Sequence, residues 1–413
     1  MANEFISPVE ILQDSLIMLE NELGLLKHVN REFDDKVQVE NEKVGYTINA
    51  RVPVRVRGRQ GDAARPEDVK EKMVPVTVNR LWGSDLKVSD QDLAMVIDRF
   101  RQRYIEPGIN KIGNDVEGEG YDLYKQFYNI AGVPGTATTD LTTLGSSRAL
   151  LNLNSVPQMD RSFLMDPITE MNLLGYRNNL FNPVAEISRQ YKEGSLGPVF
   201  GFKVTMGQNV ATHTTGTVSA TSAPVVATAP ANGDTSIATS NWTANSAILK
   251  EGDIVSFAGA NGVNYISYRD IRQLRTFRVT ADVTADGSGN ATIPVFPAFN
   301  ADSTDSEQTI TALPAVNALV KVHGLAYAQF TNVQSVASSQ SLCIHRDAMT
   351  FVAAKLEMPG GLDWSEQITH KKLGIALRLT RGFDMMSNTR LTRLETLGGW
   401  AVLRPELGLR YQA

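Results

Sequence analysis

Two stretches of this chain carry residues whose types and spacing could do chemistry. His345-Arg346-Asp347 matches the start of a protein-kinase catalytic loop, in which the Asp acts as base. That motif needs an Asn five residues after the Asp, where this chain has Val352, and neither a Gly-rich phosphate loop nor a DFG triplet accompanies it. The simpler expectation is that His345 ends a strand and Asp347 caps a helix that follows. Asp115, Glu117, Glu119 and Gly120 have spacings reminiscent of a calcium loop, but Gln126 stands where the bidentate Glu belongs. They read more simply as the solvated face of a helix. His28, His213, His323, His345 and His370 are dispersed, with no HxH or HExxH spacing. A nucleophile elbow, a Walker loop and a dinucleotide fingerprint are all missing. No catalytic, cofactor-binding or metal-binding residue is therefore assigned, and no cofactor is expected.

Composition narrows the class further. At 413 residues the chain is long enough for two or three domains with real cores. The hydrophobic fraction of 42% is ordinary, and no apolar run approaches the ~20 residues that span a bilayer, so no membrane association is expected. Met1 to Pro8 has neither a basic start nor an apolar core, so it does not read as a signal peptide. A single cysteine, Cys343, excludes an intramolecular disulfide and fits a reducing cytoplasm. Net charge is −5, with basic residues scattered rather than clustered. Tight or sequence-specific binding to nucleic acid needs such a cluster and is not expected.

The elements that would position any site follow from periodicity. Ser7, Pro8 and Glu10 signal a helix start, and Ile11 to Leu26 carries an apolar stripe of helical period. Val52, Val54 and Val56 alternate with Arg51, Arg55 and Arg57, and Val74, Val76 and Val78 alternate with Pro75, Thr77 and Asn79. These are edge-like strands of a long hairpin with a mixed-charge tip between Arg57 and Lys72. The tip is either a solvated loop or an arm that exchanges salt bridges with a neighbour. A helix is expected after Ser89, then a kink at Pro107 and a second helix through Ile109 to Phe127, weakened at Gly113, Gly118 and Gly120. Shorter elements are expected at Ser146–Leu153 (helix), Phe163–Met165 and Gly201–Val210 (strands), Ser341–Ile344 (strand) and Arg346–Lys355 (helix). Gly374–Met385 and Trp400–Tyr411 read as two long closing strands.

Between these lies a change of composition. From Ala211 to Leu249 the only formally charged side chain is Asp234, amid Thr, Ser, Ala and Gly. Alternating strands at Ile248–Gly259, Arg275–Val283 and Ala291–Pro297, with a turn at Asp286 to Asn290, predict a small antiparallel barrel or sandwich inserted in a host domain. Asn241-Trp242-Thr243 and Asn290-Ala291-Thr292 are read as turn chemistry rather than glycosylation sites.

The order of elements resembles the major capsid protein of tailed double-stranded DNA bacteriophages, the Hong Kong 97-like fold, with the inserted domain of the phage P22 type. The stretches that carry the resemblance are Asp98 to Pro107, Gly194 to Val210 with Thr214-Thr215-Gly216, Leu249 to Gly259, and Leu394 to Leu407. It implies an α+β fold divided into an N-terminal arm helix (1–35), an E-loop hairpin (36–85) and a peripheral domain with its spine helix (86–135). An axial domain (136–212 and 326–373) would be interrupted by a β-barrel I-domain (213–325), and closing strands of the peripheral domain (374–413) would end the chain. It implies no catalysis. The partners it implies are copies of the same chain in hexamers and pentamers of an icosahedral shell, a scaffolding protein and a portal protein, and it leaves open a decoration protein. It places the protein in the virion capsid, assembled in the host cytoplasm. Candidate inter-subunit contacts are Arg57, Arg59, Asp62, Arg65, Glu67, Asp68, Lys70 and Glu71 at the hairpin tip. Arg269, Asp270 and Arg272 are the candidates in an insert loop spanning Tyr265–Gln273.

Other readings compete. An encapsulin-like compartment shares the fold but typically lacks the insert. A hydrolase with a β accessory domain would need a catalytic constellation. A tail or adhesin component would carry the Ser/Thr-rich composition along the whole chain, whereas here it is confined to the insert.

Overall fold

A computed structural model describes residues 23–32, 47–58, 61–62, 64, 66–89, 106–136, 138, 141–177, 197–322, 335–369, 375–386 and 389–413. The fold is α+β and rich in strands, and its contacts divide the chain into two units. The first takes in Met1–Arg51, Met73–Gly120 and Met349–Leu403; the second takes in Val52–Lys72, Tyr121–Ala348 and Arg404–Ala413.

The first unit is organised by one long strand, Thr389–Val402. Along one edge it pairs with Arg80–Ser89, and along the other in succession with Ala376–Asp384 and Met349–Ala354. Trp364–Thr369 completes the sheet. The helix Glu106–Asp122 begins with Pro107 in its first turn, where a missing N–H costs nothing. It runs unbroken through the glycines expected to weaken it. At Gly120 a Cβ would come 2.5 Å from Leu25 and 2.9 Å from Trp400, so close packing requires the small residue there. The carboxylates read as a solvated face are each engaged: Glu117 is buried and accepts from the Leu25 N–H at 2.7 Å, Asp115 pairs with Lys111, and Glu119 with Arg80. The expected helix starts at Ser7 and after Ser89 lie outside the described residues, apart from a 3-10 turn at Leu25–His28.

In the second unit a mixed sheet runs in the order Ile130–Gly132, Gly408–Gln412, Ala337–His345, Arg161–Met165 and Lys203–Met206. The helix Leu141–Leu153 lies against it, and Pro167–Arg177 is a further helix that the periodicity did not signal. The inserted sheet has six antiparallel strands in the order Val320–Val322, Ile254–Val263, Asp270–Val279, Ala291–Phe296, Ser236–Trp242 and Ala220–Thr228. Its two edges meet: Val226 N–H donates to Ala318 O and Asn317 N–H to Val226 O, both at 2.9 Å. This closes the sheet into the expected barrel around Phe257, Phe277 and Phe299.

Two sequence expectations are corrected. Arg346–Lys355 is not a helix; Arg346–Ala348 is a single 3-10 turn, and Met349–Ala354 is a strand with every side chain buried. An apolar run this short has no periodicity to separate helix from strand, and its Thr and Val favour the pleated surface. Trp400–Tyr411 is not one strand, because the long strand ends at Val402 and Pro405 opens a 3-10 turn before Gly408–Gln412.

Candidate contact site on the hairpin and the insert

The strands Thr47–Val52 and Lys72–Thr77 form a two-stranded sheet from which the hairpin extends. The strand expected over Val52, Val54 and Val56 is not formed, since Thr47–Val52 ends where those valines begin; beyond it Arg55 and Arg57 are half-buried while Val54 and Val56 lie exposed. On the returning side Lys70 and Lys72 are likewise spaced by two. The four cations converge on two loops of the insert, the turn between Ile254–Val263 and Asp270–Val279 and the loop that follows Ala291–Phe296. Lys70 Nζ lies 2.8 and 2.9 Å from the Asp305 carboxylate oxygens, and Lys72 pairs with Glu307. Arg57 donates from Nε to Asp305 O at 2.9 Å and from Nη2 to Gln308, with its guanidinium 4.2 Å above the Tyr268 ring. Arg55 lies 4.1 Å above Tyr265, 3.7 Å from Glu307 and 3.1 Å from Glu406.

The receiving loop is held from within its own segment. Asn300 Nδ2 donates to Asp305 Oδ2 at 2.8 Å, the Glu307 N–H donates to Asp305 Oδ1 at 3.0 Å, and Tyr268 O–H donates to Ser306 O at 2.9 Å. Partial burial pulls the Asp305 pKa up, but the Lys70 ammonium and these donors outweigh it and draw it down to about 2. The hydrogen bond to Asp305 raises Lys70 in turn. Glu406 is buried at a cost to its charge, yet Arg55 and Arg404 hold it below its ordinary value.

Of the residues singled out at the hairpin tip, Arg57 and Lys70 are thus engaged within their own chain, and Glu67 accepts from the Arg57 N–H at 2.9 Å. Asp62, Asp68 and Glu71 are exposed, and Arg59 and Arg65 lie outside the described residues. In the insert, Arg269, Asp270 and Arg272 are exposed, but they do not share a loop. The turn ends at Arg269, and Asp270 and Arg272 belong to the strand Asp270–Val279, with Asp270 accepting from the Arg272 N–H at 2.7 Å. The Gly/Pro-free stretch gave no sign of where turn became strand.

Sequence reasoning missed a second cluster, at the base of the insert. Asp253 is fully buried and accepts from His213 Nε2 at 2.8 Å, from the Gly216 N–H at 3.0 Å and from the Lys250 N–H at 2.8 Å. His213 Nδ1 lies 2.9 Å from Tyr124 O–H, and burial pushes the Tyr124 pKa up to about 12. Arg410, also buried, donates to Gly252 O at 2.9 Å, and burial brings its pKa down to about 10. Nearby, Arg275 lies 4.6 Å above Tyr128 and 4.8 Å above Tyr265, whose hydroxyls meet at 2.7 Å. A Tyr-His-Asp chain resembles a relay, but its members tie the strand Thr212–Thr214 to the turn before Ile254–Val263 and to the 3-10 turn Leu123–Gln126.

The kinase-like triplet is a turn. The Asp347 N–H donates to His345 Nδ1 at 3.2 Å, and burial lowers the His345 pKa despite Asp347, so the ring stays neutral near pH 7. Cys343 is buried, and burial raises its thiol well above its ordinary value. Among the described residues no group of His, Cys, Asp and Glu is arranged to hold a metal ion, and no helix is long and apolar enough to cross a membrane.

Compared with known protein families, residues 50–411 match the model described as "P22 coat protein - gene protein 5". The chain belongs to the P22 coat protein family. It is a major capsid protein with the Hong Kong 97-like fold, a structural component of an icosahedral phage shell. No curated protein matches it. Among solved structures the coat protein is similar to one from Mycobacterium phage Che8, at 13% identity and a TM-score of 0.44, covering 95% of this chain and 90% of the other. It is similar to the mature capsid of bacteriophage PhiM1 at 11% identity and a TM-score of 0.42, covering 93% and 87%. The CUS-3 coat protein I-domain matches at 21% identity and a TM-score of 0.20, covering 25% of this chain and 96% of that one.

Proposed function

We propose that this coat protein builds its shell from hexamers and pentamers, assembled in the host cytoplasm with a scaffolding protein and around a portal protein. The observation that carries this reading is the family match from residue 50 to residue 411, which runs through the hairpin, the insert and the closing strands. Individually modest contacts suffice for such a particle, because closed symmetry multiplies them. In this reading the parts are those expected from the sequence: arm helix, E-loop, peripheral and axial domains and an I-domain over 213–325. The chain works as a structural subunit, without turnover. The exposed carboxylates Asp62, Asp68 and Glu71, with Arg59 and Arg65 beside them in sequence, are its contacts to a neighbouring subunit. The exposed Arg269, Asp270 and Arg272 are a second set.

The test is to purify the protein alone and with a co-expressed scaffolding protein, then examine both by electron microscopy and sedimentation. Closed particles of uniform size are expected. Dispersed monomers or open fibres under every condition would overturn the reading.

A further inference from the structure

We infer that the insert carries a receptor for the hairpin of its own chain, and that this intramolecular clamp sets the arm's position before subunits meet. The receptor is formed by two loops that carry Tyr265, Tyr268, Asp305, Glu307 and Gln308; its ligand is the basic set Arg55, Arg57, Lys70 and Lys72. Unlike the shell reading, the inference concerns a single chain, so the two can fail separately.

Three features make the contact more than a chance meeting of charged surfaces. First, it is two-sided. Both legs of the hairpin contribute cations, and Arg55 with Arg57 and Lys70 with Lys72 all reach the loop of the insert that carries Asp305 and Glu307. A solvated arm would need no such pairing of its basic residues with one acidic loop. Second, the receptor combines charge with aromatic planes. Arg55 and Arg57 each stack on a tyrosine while bonding to a carboxylate, carbonyl or amide oxygen beside it. Lysine could supply the charge but neither the planar stacking nor the forked donors. Third, the receptor is shaped by bonds that do not involve the hairpin: Asn300 and the Glu307 N–H orient Asp305, and Tyr268 is tied to Ser306. A site built in advance spends less ordering entropy on docking.

The consequence is a division of labour along the hairpin. Its flanks hold it to the insert, while the segment from Gly58 onward bears Asp62 and Asp68 exposed. A capsid subunit has an arm to position and an inserted domain to justify, and this contact connects the two needs. An arm fixed in one direction meets a neighbour without searching, which is the advantage of preorganisation in any association. Because the contact is partly ionic and partly exposed, it weakens with salt.

Trypsin provides the test, since it must draw an Arg or Lys side chain into its own pocket. In the unassembled wild-type protein the Arg57–Gly58 bond should be cut slowly. Asp305→Asn combined with Glu307→Gln should raise that rate about fivefold, as should salt near 1 M in the wild type. Cleavage after the exposed Arg269 and Arg272 should stay unchanged and reports that the insert remains folded. Equal rates at Arg57–Gly58 in variant and wild type would overturn the clamp. A second experiment separates contact within a chain from contact between chains. A short bis-maleimide should link Lys70→Cys to Asp305→Cys within one chain, Cys343 being buried. A mixture of the two single variants, assembled or not, should give no covalent dimer. Dimers from the mixture in place of the intrachain link would show that the receptor serves a neighbour's hairpin and overturn the inference.

Discussion

Asp253 Oδ1 lies 2.8 Å from Nε2 of His213, and both side chains are buried where the chain enters the closed sheet. A carboxylate can only accept, so Nε2 carries the hydrogen, and Nδ1 lies 2.9 Å from the Tyr124 hydroxyl oxygen. Asp253 also satisfies the Gly216 and Lys250 N–H groups. Asp253→Ala would strand these donors in a buried setting. The expected cost is about 3 kcal/mol, because unsatisfied buried donors lose their full desolvation penalty. Urea unfolding of the unassembled variant, followed by circular dichroism, measures it; a loss below about 1 kcal/mol would mean that water replaces the carboxylate.

A close approach makes the second prediction. Gly399, in the long strand Thr389–Val402, faces the Thr77 backbone so tightly that a Cβ would come 2.1 Å from Thr77 O. Gly399→Ala should destabilise the first unit by roughly 3 kcal/mol, since the obstacle is backbone and cannot rotate away. The thermal midpoint of the variant against the wild type decides it.

How much of this could be read beforehand depends on what each element announces. The hairpin was half announced: Val74 and Val76 lie in the strand Lys72–Thr77, but Val54 and Val56 lie beyond the strand Thr47–Val52, and the Asp/Gly/Asn turn at 286–290 marked one strand junction in the insert. The barrel's closure was not legible, since it rests on Val226 meeting Asn317 and Ala318, far apart in sequence. Met349–Ala354 misled because burial on both faces erases the period that separates strand from helix. The contact site was half legible: Arg57 and Lys70 lay in a segment whose charges asked for partners. Asp305 and Glu307 stood in an acidic run that nothing local linked to the hairpin. His213 and Asp253 gave no signal at all, being single residues brought together by the fold.

Acid should release the hairpin within a definite window. Asp305 has a folded-state pKa depressed to about 2, against roughly 3.9 for an unfolded-chain Asp. Its contribution is therefore complete above about pH 4 and is lost as pH falls through 2. Asp305→Asn should be less stable than the wild type at pH 6, with the gap shrinking as pH falls from about 4 and closing only below pH 2. Unfolding midpoints across that range check the sign; a gap that widens on acidification would contradict it.

Deleting Gly58 to Glu71 tests the tip. The strands that support it, Thr47–Val52 and Lys72–Thr77, remain, so the monomer should fold. Its particles should fail to form or fall apart at lower temperature than the parent's. Particles as heat-resistant as the wild type would make the tip a solvated loop.

The insert should fold when residues 213–325 are expressed alone. Its core is self-contained: Val226, Ile237, Trp242, Val255, Phe257, Phe277, Ile293 and Phe299 pack among themselves inside the closed sheet. Something over a hundred residues suffices for a modest independent core. Excision nevertheless removes partners of particular side chains. Tyr124 no longer meets His213, and Arg275 loses both the Tyr128 ring and Asn154. Arg275 is fully buried in the whole protein, where desolvation lowers its pKa. In the fragment the loss of these partners opens it to water on the barrel wall. The isolated insert should therefore show dispersed amide resonances and one cooperative thermal transition, at a lower midpoint than the same strands reach in the whole chain. Arg275→Met should change the fragment's midpoint little, because removal of Tyr128 and Asn154 uncovers the guanidinium to water. In the full-length protein the same substitution removes the stacking on Tyr128 and Tyr265 and should lower stability. A fragment with collapsed resonances and no transition would mean that the barrel needs its host to fold. Equal effects of Arg275→Met in both settings would mean that the tyrosine stacking contributes nothing.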